Sequence, residues 1–124
     1  MSKPRPKYLN LVQIRLPVPG FVSILHRITG AGLFLFIPFL LYLLKLSLES
    51  PQTFAAFKAF TAQPLSKLVL VGLVWAYLHH LCAGVRHLAL DLHYGTELAT
   101  ARATSWAVLV VSIALTLVFG ALIW

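Results

Sequence analysis

Two histidines in one apolar stretch are the residues of this chain best suited to chemistry. Four residues at offsets 0, 4, 7 and 11 share one face of a helix: His80, Gly84, His87 and Asp91. His80 lies six residues deeper than Arg86, roughly 9 Å along a helix axis at about 1.5 Å per residue. An ionisable group at that depth is costly without a partner, so its position predicts a functional role.

A neutral imidazole is a good axial ligand for haem iron, and the small Gly84 one turn away would leave room for a flat macrocycle. A second interpretation stays open, in which His80 hydrogen-bonds to a neighbouring helix. His79 points about 100° away from His80 and is predicted to be structural or to face the lipid interface. Two histidines of one helix cannot bind one haem from both sides, so a six-coordinate haem needs a ligand from a partner chain.

A second candidate group lies where the first apolar stretch begins. Ser23 and Arg27 are four residues apart and share a helix face, which Gly30 continues. A hydroxyl and a guanidinium at the membrane boundary can hold a carbonyl or an acidic group of an amphipathic ligand. The alternative is that Arg27 is an interfacial anchor and Ser23 a helix cap.

The charged and imidazole groups nearer the interface are predicted to meet the negative propionates of a haem. These side chains are His26, Arg27, Arg86 and His87. Asp91 would pair with Arg86 or His87 and limit the repulsion among these cations. The sequence contains no nucleophile–base pair, paired carboxylates, glycine-rich phosphate loop or CxxC motif. We therefore expect the chain to contribute a binding site and an electron path, with substrate chemistry carried out by partners.

Composition determines the environment in which these residues must be placed. The chain of 124 residues is 60% hydrophobic and 10% charged, against roughly 45–50% and about 25% in soluble domains. So few charges cannot cover a water-facing surface, which excludes a disordered chain and a small soluble enzyme and predicts a membrane protein. The net charge of +7 comes mainly from basic residues in the tail and at the ends of apolar stretches, so no nucleic-acid partner is predicted.

Three stretches without a charged residue are long enough to cross a bilayer, at 28–44, 68–85 and 103–124. The predicted fold is an all-α membrane protein with an extended arm at residues 1–20 and a three-helix domain at 21–124. Its spans are predicted at about 22–48, 65–91 and 103–124, with a short amphipathic segment at the interface in the first connection. Four glycines are expected to permit close helix approach: Gly30, Gly32, Gly72 and Gly84.

The distribution of Lys and Arg predicts the orientation. One side of the membrane would carry seven of them: Lys3, Arg5, Lys7, Arg15, Arg27, Arg86 and Arg102. The other side would carry three: Lys45, Lys58 and Lys67. This asymmetry places the N-terminus in the cytoplasm, or in the matrix of a mitochondrion. No cleavable signal or transit peptide is expected, which favours a multi-pass protein of the bacterial inner membrane.

Two motifs give the chain a resemblance to a known family. The run Ser23-Ile24-Leu25-His26-Arg27-Ile28-Thr29-Gly30, followed by His80-x3-Gly84-x-Arg86-His87-x3-Asp91, resembles the cytochrome b556 subunits of succinate dehydrogenase, or complex II. The resemblance implies a four-subunit enzyme in which a flavoprotein oxidises succinate and an iron–sulfur protein relays the electrons. Two membrane subunits then anchor these proteins, share one haem b and reduce ubiquinone.

The resemblance also assigns roles to residues. It implies that His80 is the axial haem ligand, the other coming from the second anchor subunit. It implies a ubiquinone site at Ser23, Ile24 and Arg27, and it brings His26 and Arg27 to the propionates. Asp91 is carried over as a structural or proton-path candidate. The chain departs from the family's R-P-x-S-P-H-L motif, because it has Arg5-Pro6-Lys7-Tyr8-Leu9-Asn10-Leu11 there.

Three other functions remain open at this point. The anchor of a fumarate reductase would run the same chemistry in reverse with menaquinol. A small proton-coupled transporter would use His80 and Asp91 as a relay and would form a homodimer. A purely structural anchor would carry no cofactor and would leave His80 unexplained. The absorbance of haem b separates these readings.

Overall fold

The computed structural model describes residues 4–5, 7–8, 10 and 12–124, and within them the chain forms four helices and no strand. These are α1 (Val18–Glu49), α2 (Pro51–Thr61), α3 (Pro64–Asp91) and α4 (Leu98–Ile123). α1, α3 and α4 have 32, 28 and 26 residues and are apolar enough to cross a membrane, which needs about 20. The predicted all-helical membrane fold is confirmed, whereas its orientation stays a prediction.

α1 begins at Val18, inside the segment that the sequence predicted as an extended arm up to residue 20. Pro19 lies in its first turn, where proline is favoured because the missing N–H would have no helical partner. Pro38 lies inside α1, which nevertheless continues to Glu49. Several residues used in the sequence analysis lie outside the described part of the chain: Lys3, Pro6, Leu9 and Leu11.

α2 is the short segment predicted in the first connection. Its start is fixed by a capping box, in which the Thr53 N–H donates to Ser50 Oγ at 3.1 Å and the Ser50 N–H donates to Thr53 Oγ1 at 3.0 Å. The ring of Phe60 meets the edge of Phe39 with centroids 6.0 Å apart, so α2 packs back on α1. Its location at the membrane interface stays a prediction.

α3 packs against both α1 and α4, which also contact each other. One residue from each long helix forms the apolar centre of the bundle: Val22, Ala83 and Val108. α4 turns a stripe of small side chains inward, with Ser105, Ser112 and Thr116 buried. Each of these hydroxyls donates to a carbonyl of its own helix three or four residues earlier. Small residues of this kind let membrane helices approach closely.

Candidate functional site

His80 lies in the contact between α3 and α1 and is held there by its ring nitrogen Nδ1. This atom lies 3.0 Å from the backbone oxygen of His26 and 3.4 Å from Thr29 Oγ1. A carbonyl oxygen only accepts hydrogen bonds, so the shorter contact requires the proton on Nδ1. His80 therefore adopts the tautomer in which Nε2 keeps a free lone pair, as metal-binding imidazoles do.

Two more imidazoles extend from His80, with His26 next to it and His87 next to His26. The ring of His26 stacks on it with centroids 4.1 Å apart and planes 10° apart. The ring of His87 lies 5.0 Å from that of His26, tilted by 53°. The predicted helix face with His80 and His87 thus meets α1, and His26 joins it from the facing helix. This face supplies three imidazoles at one place in the bundle.

Gly30 makes the position of His80 possible. A Cβ atom at Gly30 would lie 2.8 Å from His80 Cε1, closer than such atoms approach in proteins. A Cβ at Gly84 would lie 3.5 Å from His26 Nε2, an ordinary contact, whereas Gly32 and Gly72 face open space. Within this chain Gly30 and Gly84 lie at close helix contacts, whereas close approach at Gly32 and Gly72 stays a prediction.

Ser23 and Ile24 lie on α1 just before His26 of the imidazole cluster, and Arg27 follows His26 directly. Ser23 and Ile24 are half-buried, and Arg27 is exposed. Because α1 begins at Val18, five residues earlier, the alternative in which Ser23 caps the helix is wrong. Within the described residues, neither the Ser23 hydroxyl nor the Arg27 guanidinium forms a hydrogen bond or an ion pair. Both groups therefore keep their donors for a ligand.

Arg86 takes a direction that the sequence did not predict. Its guanidinium is buried, with Nε donating to Thr104 Oγ1 at 3.1 Å and Nη2 donating to the Ala101 carbonyl at 3.3 Å. Six residues separate it from His80, which places it about 120° around α3, on the side of α4. The physical reason is that a guanidinium buried between helices turns to the nearest carbonyl and hydroxyl acceptors. Its contact with a propionate stays a prediction.

Asp91 is exposed at the end of α3 and pairs with neither Arg86 nor His87. The one ion pair among the described residues joins Lys45 and Glu49 at 3.9 Å, at the other end of α1. The predicted role of Asp91 in limiting repulsion among the basic groups is therefore not provided by a direct ion pair.

His79 has the structural position that was one of its two predicted alternatives, and it does not face the lipid interface. Its side chain is fully buried, and neither ring nitrogen has a hydrogen bond of normal distance and angle; the Val22 backbone acts on the ring only from outside that geometry. The ring packs against that of Trp75, with centroids 5.3 Å apart. A signal for this burial was present, because Ala83 and Arg86 follow at offsets of four and seven and are buried on the same face. His79 belongs to the interior of the bundle and not to the imidazole cluster.

The imidazole cluster does not make a site for a bare metal ion. Among the described residues, no group of three or more His, Cys, Asp or Glu side chains is arranged to hold one. One free imidazole nitrogen suits instead a metal that arrives with most of its coordination already filled. Haem iron is such a metal, since the porphyrin leaves only its axial positions to the protein.

Comparison with known proteins identifies the family. The family model described as "Succinate dehydrogenase/Fumarate reductase transmembrane subunit" matches residues 1–119. The chain belongs to this family.

Curated relatives agree over nearly the whole chain. A succinate dehydrogenase cytochrome b556 subunit from Coxiella burnetii is 34% identical over 100% of both chains. Subunits of the same name from Paracoccus denitrificans and Rickettsia felis are 36% and 35% identical, covering 90% and 91% of this chain and 85% and 88% of theirs. The resemblance seen in the two motifs is thereby confirmed. This chain is a membrane subunit of the succinate dehydrogenase family and part of an oxidoreductase complex.

Proposed function

We propose that this chain binds haem b through His80 and helps to reduce ubiquinone, as a membrane anchor of a bacterial succinate dehydrogenase. One observation carries the proposal: Nδ1 of His80 is held by the His26 carbonyl at 3.0 Å, which leaves Nε2 free to bind iron. A hydrogen bond of this kind fixes the orientation of a ligating imidazole and raises its basicity.

The second axial ligand comes from a partner subunit. The rings of His26 and His80 are stacked, with centroids 4.1 Å apart and planes 10° apart, so the two side chains could not hold one haem from opposite faces. His26 therefore cannot complete the coordination that His80 begins. His79 is fully buried elsewhere, and His87 stands on the same helix as His80. This geometry favours one haem shared with the second anchor subunit.

The groups near His80 suit the negative edge of a haem. The ring of His26 stacks on that of His80, His87 lies against His26, and Arg27 offers a free guanidinium one residue after His26 on α1. We assign the propionate contacts to these three residues. The predicted propionate contact of Arg86 is not part of this proposal, because its guanidinium is directed to Thr104 and Ala101 on α4.

The quinone site is proposed at Ser23, Ile24 and Arg27. The unpaired hydroxyl and guanidinium can donate to a quinone carbonyl, whose oxygen gains negative charge as it is reduced, while Ile24 supplies an apolar wall. Bound haem would add a one-electron centre beside this site. The flavoprotein and iron–sulfur subunits of complex II would deliver the electrons from succinate.

The axial ligand is tested by His80→Ala. We expect the purified complex to lose most of its haem, because no other described imidazole combines a free nitrogen with the same anchoring contact. Haem is measured from the dithionite-reduced spectrum and divided by the flavin content of the same purified complex, so that assembly and haem loss are separated. The control is His93→Asn, which removes an exposed imidazole from a turn residue with φ 63, a region that asparagine tolerates. Normal haem content in His80→Ala would remove the assignment.

The quinone site is tested by Ser23→Ala and Arg27→Ala. Each variant loses a hydrogen-bond donor to the quinone carbonyl oxygen, which gains negative charge as the quinone is reduced. Such a bond is worth about 1.5–3 kcal/mol, so quinone reduction should fall roughly tenfold or more. Succinate oxidation by an artificial acceptor that takes electrons from the iron–sulfur subunit should be unchanged. Lys45→Ala, at the other end of α1, controls for the loss of an exposed cation. Equal loss of both activities would indicate an assembly defect and contradict the proposed site.

The alternatives separate in the same measurements. The family includes fumarate reductase subunits, and the relatives named above are succinate dehydrogenase subunits, so we propose the succinate-oxidising direction. A proton-coupled transporter requires a carboxylate within the bilayer, but Asp91 is exposed at the end of α3. That function predicts a colourless protein. The bacterial relatives favour the inner membrane as the location of this chain. The distribution of Lys and Arg favours an N-terminus in the cytoplasm.

A further inference from the structure

Arg86 is a buried cation without a counter-ion. Its side chain is 8% exposed, and none of the three carboxylates of the chain forms an ion pair with it. The Thr104 hydroxyl and the Ala101 carbonyl that it contacts are neutral. A charge held in this way near lipid is costly, and an anion from outside the chain would lower that cost.

The guanidinium still has donors to offer such an anion. Arginine carries five N–H groups, and two of them are used in the contacts with α4. Among the described residues, only His79 has side-chain nitrogens that are both fully buried and without a hydrogen bond. Nη1 of Arg86, which has no hydrogen bond, is therefore not fully buried. It can be reached from the surface of the bundle.

A cavity of about 230 Å³ opens beside Arg86 in the groove between α3 and α4. Its other walls are almost entirely apolar: Cys82, Val85, Ala89, Tyr94, Ala107 and Val108. The cavity thus combines one cation with a groove that suits hydrocarbon. A small hydrated anion would satisfy the arginine and leave these walls in contact with water.

With the midpoint of α3 taken as the bilayer centre, Arg86 would lie near the depth of the lipid headgroups. It is about 13 Å from the midpoint of the 28-residue α3, at about 1.5 Å per residue. The hydrocarbon core of a bilayer extends about 15 Å from its centre, so the guanidinium stands near the level where lipid phosphates begin. Tyr94 and Gly95, in the connection between α3 and α4, also line the cavity.

We propose that this cavity binds an anionic phospholipid, with its phosphate on Arg86 and an acyl chain along the groove between α3 and α4. Anionic lipid is favoured over zwitterionic lipid because the side of the membrane predicted to carry Arg86 has an excess of basic residues and the cavity has no carboxylate for a headgroup amine. The site is separate from the imidazole cluster and does not depend on haem.

Cys82 provides the probe, because it is the only cysteine of the chain and it lines the cavity. The complete complex is stripped of lipid with detergent and labelled with N-ethylmaleimide, and modification of the Cys82 peptide is followed by mass spectrometry. Labelling is repeated with phosphatidylglycerol, phosphatidylcholine or inorganic phosphate. The variants are Arg86→Gln, whose amide keeps a donor for Thr104, and Arg102→Gln, which removes an exposed arginine from the first turns of α4.

We expect phosphatidylglycerol to slow the labelling of Cys82 at a concentration about fivefold below that needed for phosphatidylcholine. This preference should disappear in Arg86→Gln and persist in Arg102→Gln. The proposal would be overturned if phosphatidylglycerol and phosphatidylcholine protected Cys82 from labelling equally well. It would also be overturned if phosphatidylglycerol still protected Cys82 fully in Arg86→Gln, or if inorganic phosphate protected Cys82 as well as phosphatidylglycerol does. A Cys82 that stays unreactive after the lipid is removed would overturn it too, because a partner subunit would then cover the cavity.

Discussion

Two neighbouring histidines of α3 have opposite environments. His80 is half-buried, its Nδ1 is fixed by the His26 carbonyl at 3.0 Å, and its Nε2 is free. His79 is fully buried, and neither of its nitrogens forms a hydrogen bond. One residue along a helix turns the side chain by about 100°, from the contact with α1 into the bundle interior.

The difference teaches that burial alone does not mark a ligand. His79 is the more deeply buried of the two, yet no partner subunit can reach a side chain that is wholly enclosed in its own chain. His80 is anchored on one side and open on the other, as binding requires. The distinguishing features are a fixed tautomer and a free nitrogen near the surface.

The largest effect is expected from the glycine on which the His80 ring packs. In Gly30→Ala the new methyl group would lie 2.8 Å from His80 Cε1 and must push away a ring that is held between a backbone carbonyl and the ring of His26. The contact of Nδ1 with the His26 carbonyl is then lost. We expect haem affinity to fall at least about tenfold, the effect typical of losing an outer partner of a metal ligand.

A matched control lies two residues further along the same helix. A Cβ at Gly32 meets nothing within 4 Å, so Gly32→Ala makes the same chemical change without the clash. Haem per flavin in the purified complex, together with the midpoint potential of the haem, measures both variants. Haem loss of equal size in both would mean that the variants weaken the helix or the assembly and that Gly30 does not position His80.

The second effect concerns His79, whose replacement should not weaken the complex as replacement of Gly30 does. A buried polar group without a hydrogen bond costs about 1–3 kcal/mol, so His79→Leu should leave the complex equally stable or more stable by up to that amount. Thermal unfolding of the complex measures stability, and the reduced spectrum measures haem. His80→Leu is the companion variant and should lose haem. If His79→Leu lost haem while His80 was intact, the division between the two histidines would be wrong.

The sequence predicts the three membrane helices well, because a span of about 20 apolar residues is a local property. It predicts their ends less well. α4 begins at Leu98 and not at 103, since the span was counted from the charged Arg102, which lies in the first turns of the helix. A charge next to an apolar stretch shows where the hydrocarbon ends, not where the helix does.

The candidate site divides in the same way. The helix face shared by His80, Gly84 and His87 follows from spacing alone, and the two motifs place the chain in its family. Which neighbour each face meets does not follow from spacing. For that reason the sequence assigned Arg86 to the haem side, although its guanidinium bonds to α4, and it left open whether His79 is structural or faces the lipid interface.

The smallest effect tests how finely the anchoring of His80 is tuned. Thr29 Oγ1 lies 3.4 Å from His80 Nδ1 and donates to the carbonyls of Leu25 and His26, at 2.8 and 3.1 Å. Thr29→Val keeps the shape of the side chain and removes this oxygen, but the His26 carbonyl still accepts from His80. Haem content should therefore be unchanged.

The midpoint potential of the haem should change in Thr29→Val. An acceptor for the Nδ1 proton makes the imidazole more basic and favours ferric iron, so the removal of this acceptor should raise the potential. The shift should be below about 60 mV, which for one electron is a factor of ten in the equilibrium constant. A potentiometric titration of the α-band measures it, and a shift to lower potential would show that Thr29 does not act as an acceptor for His80.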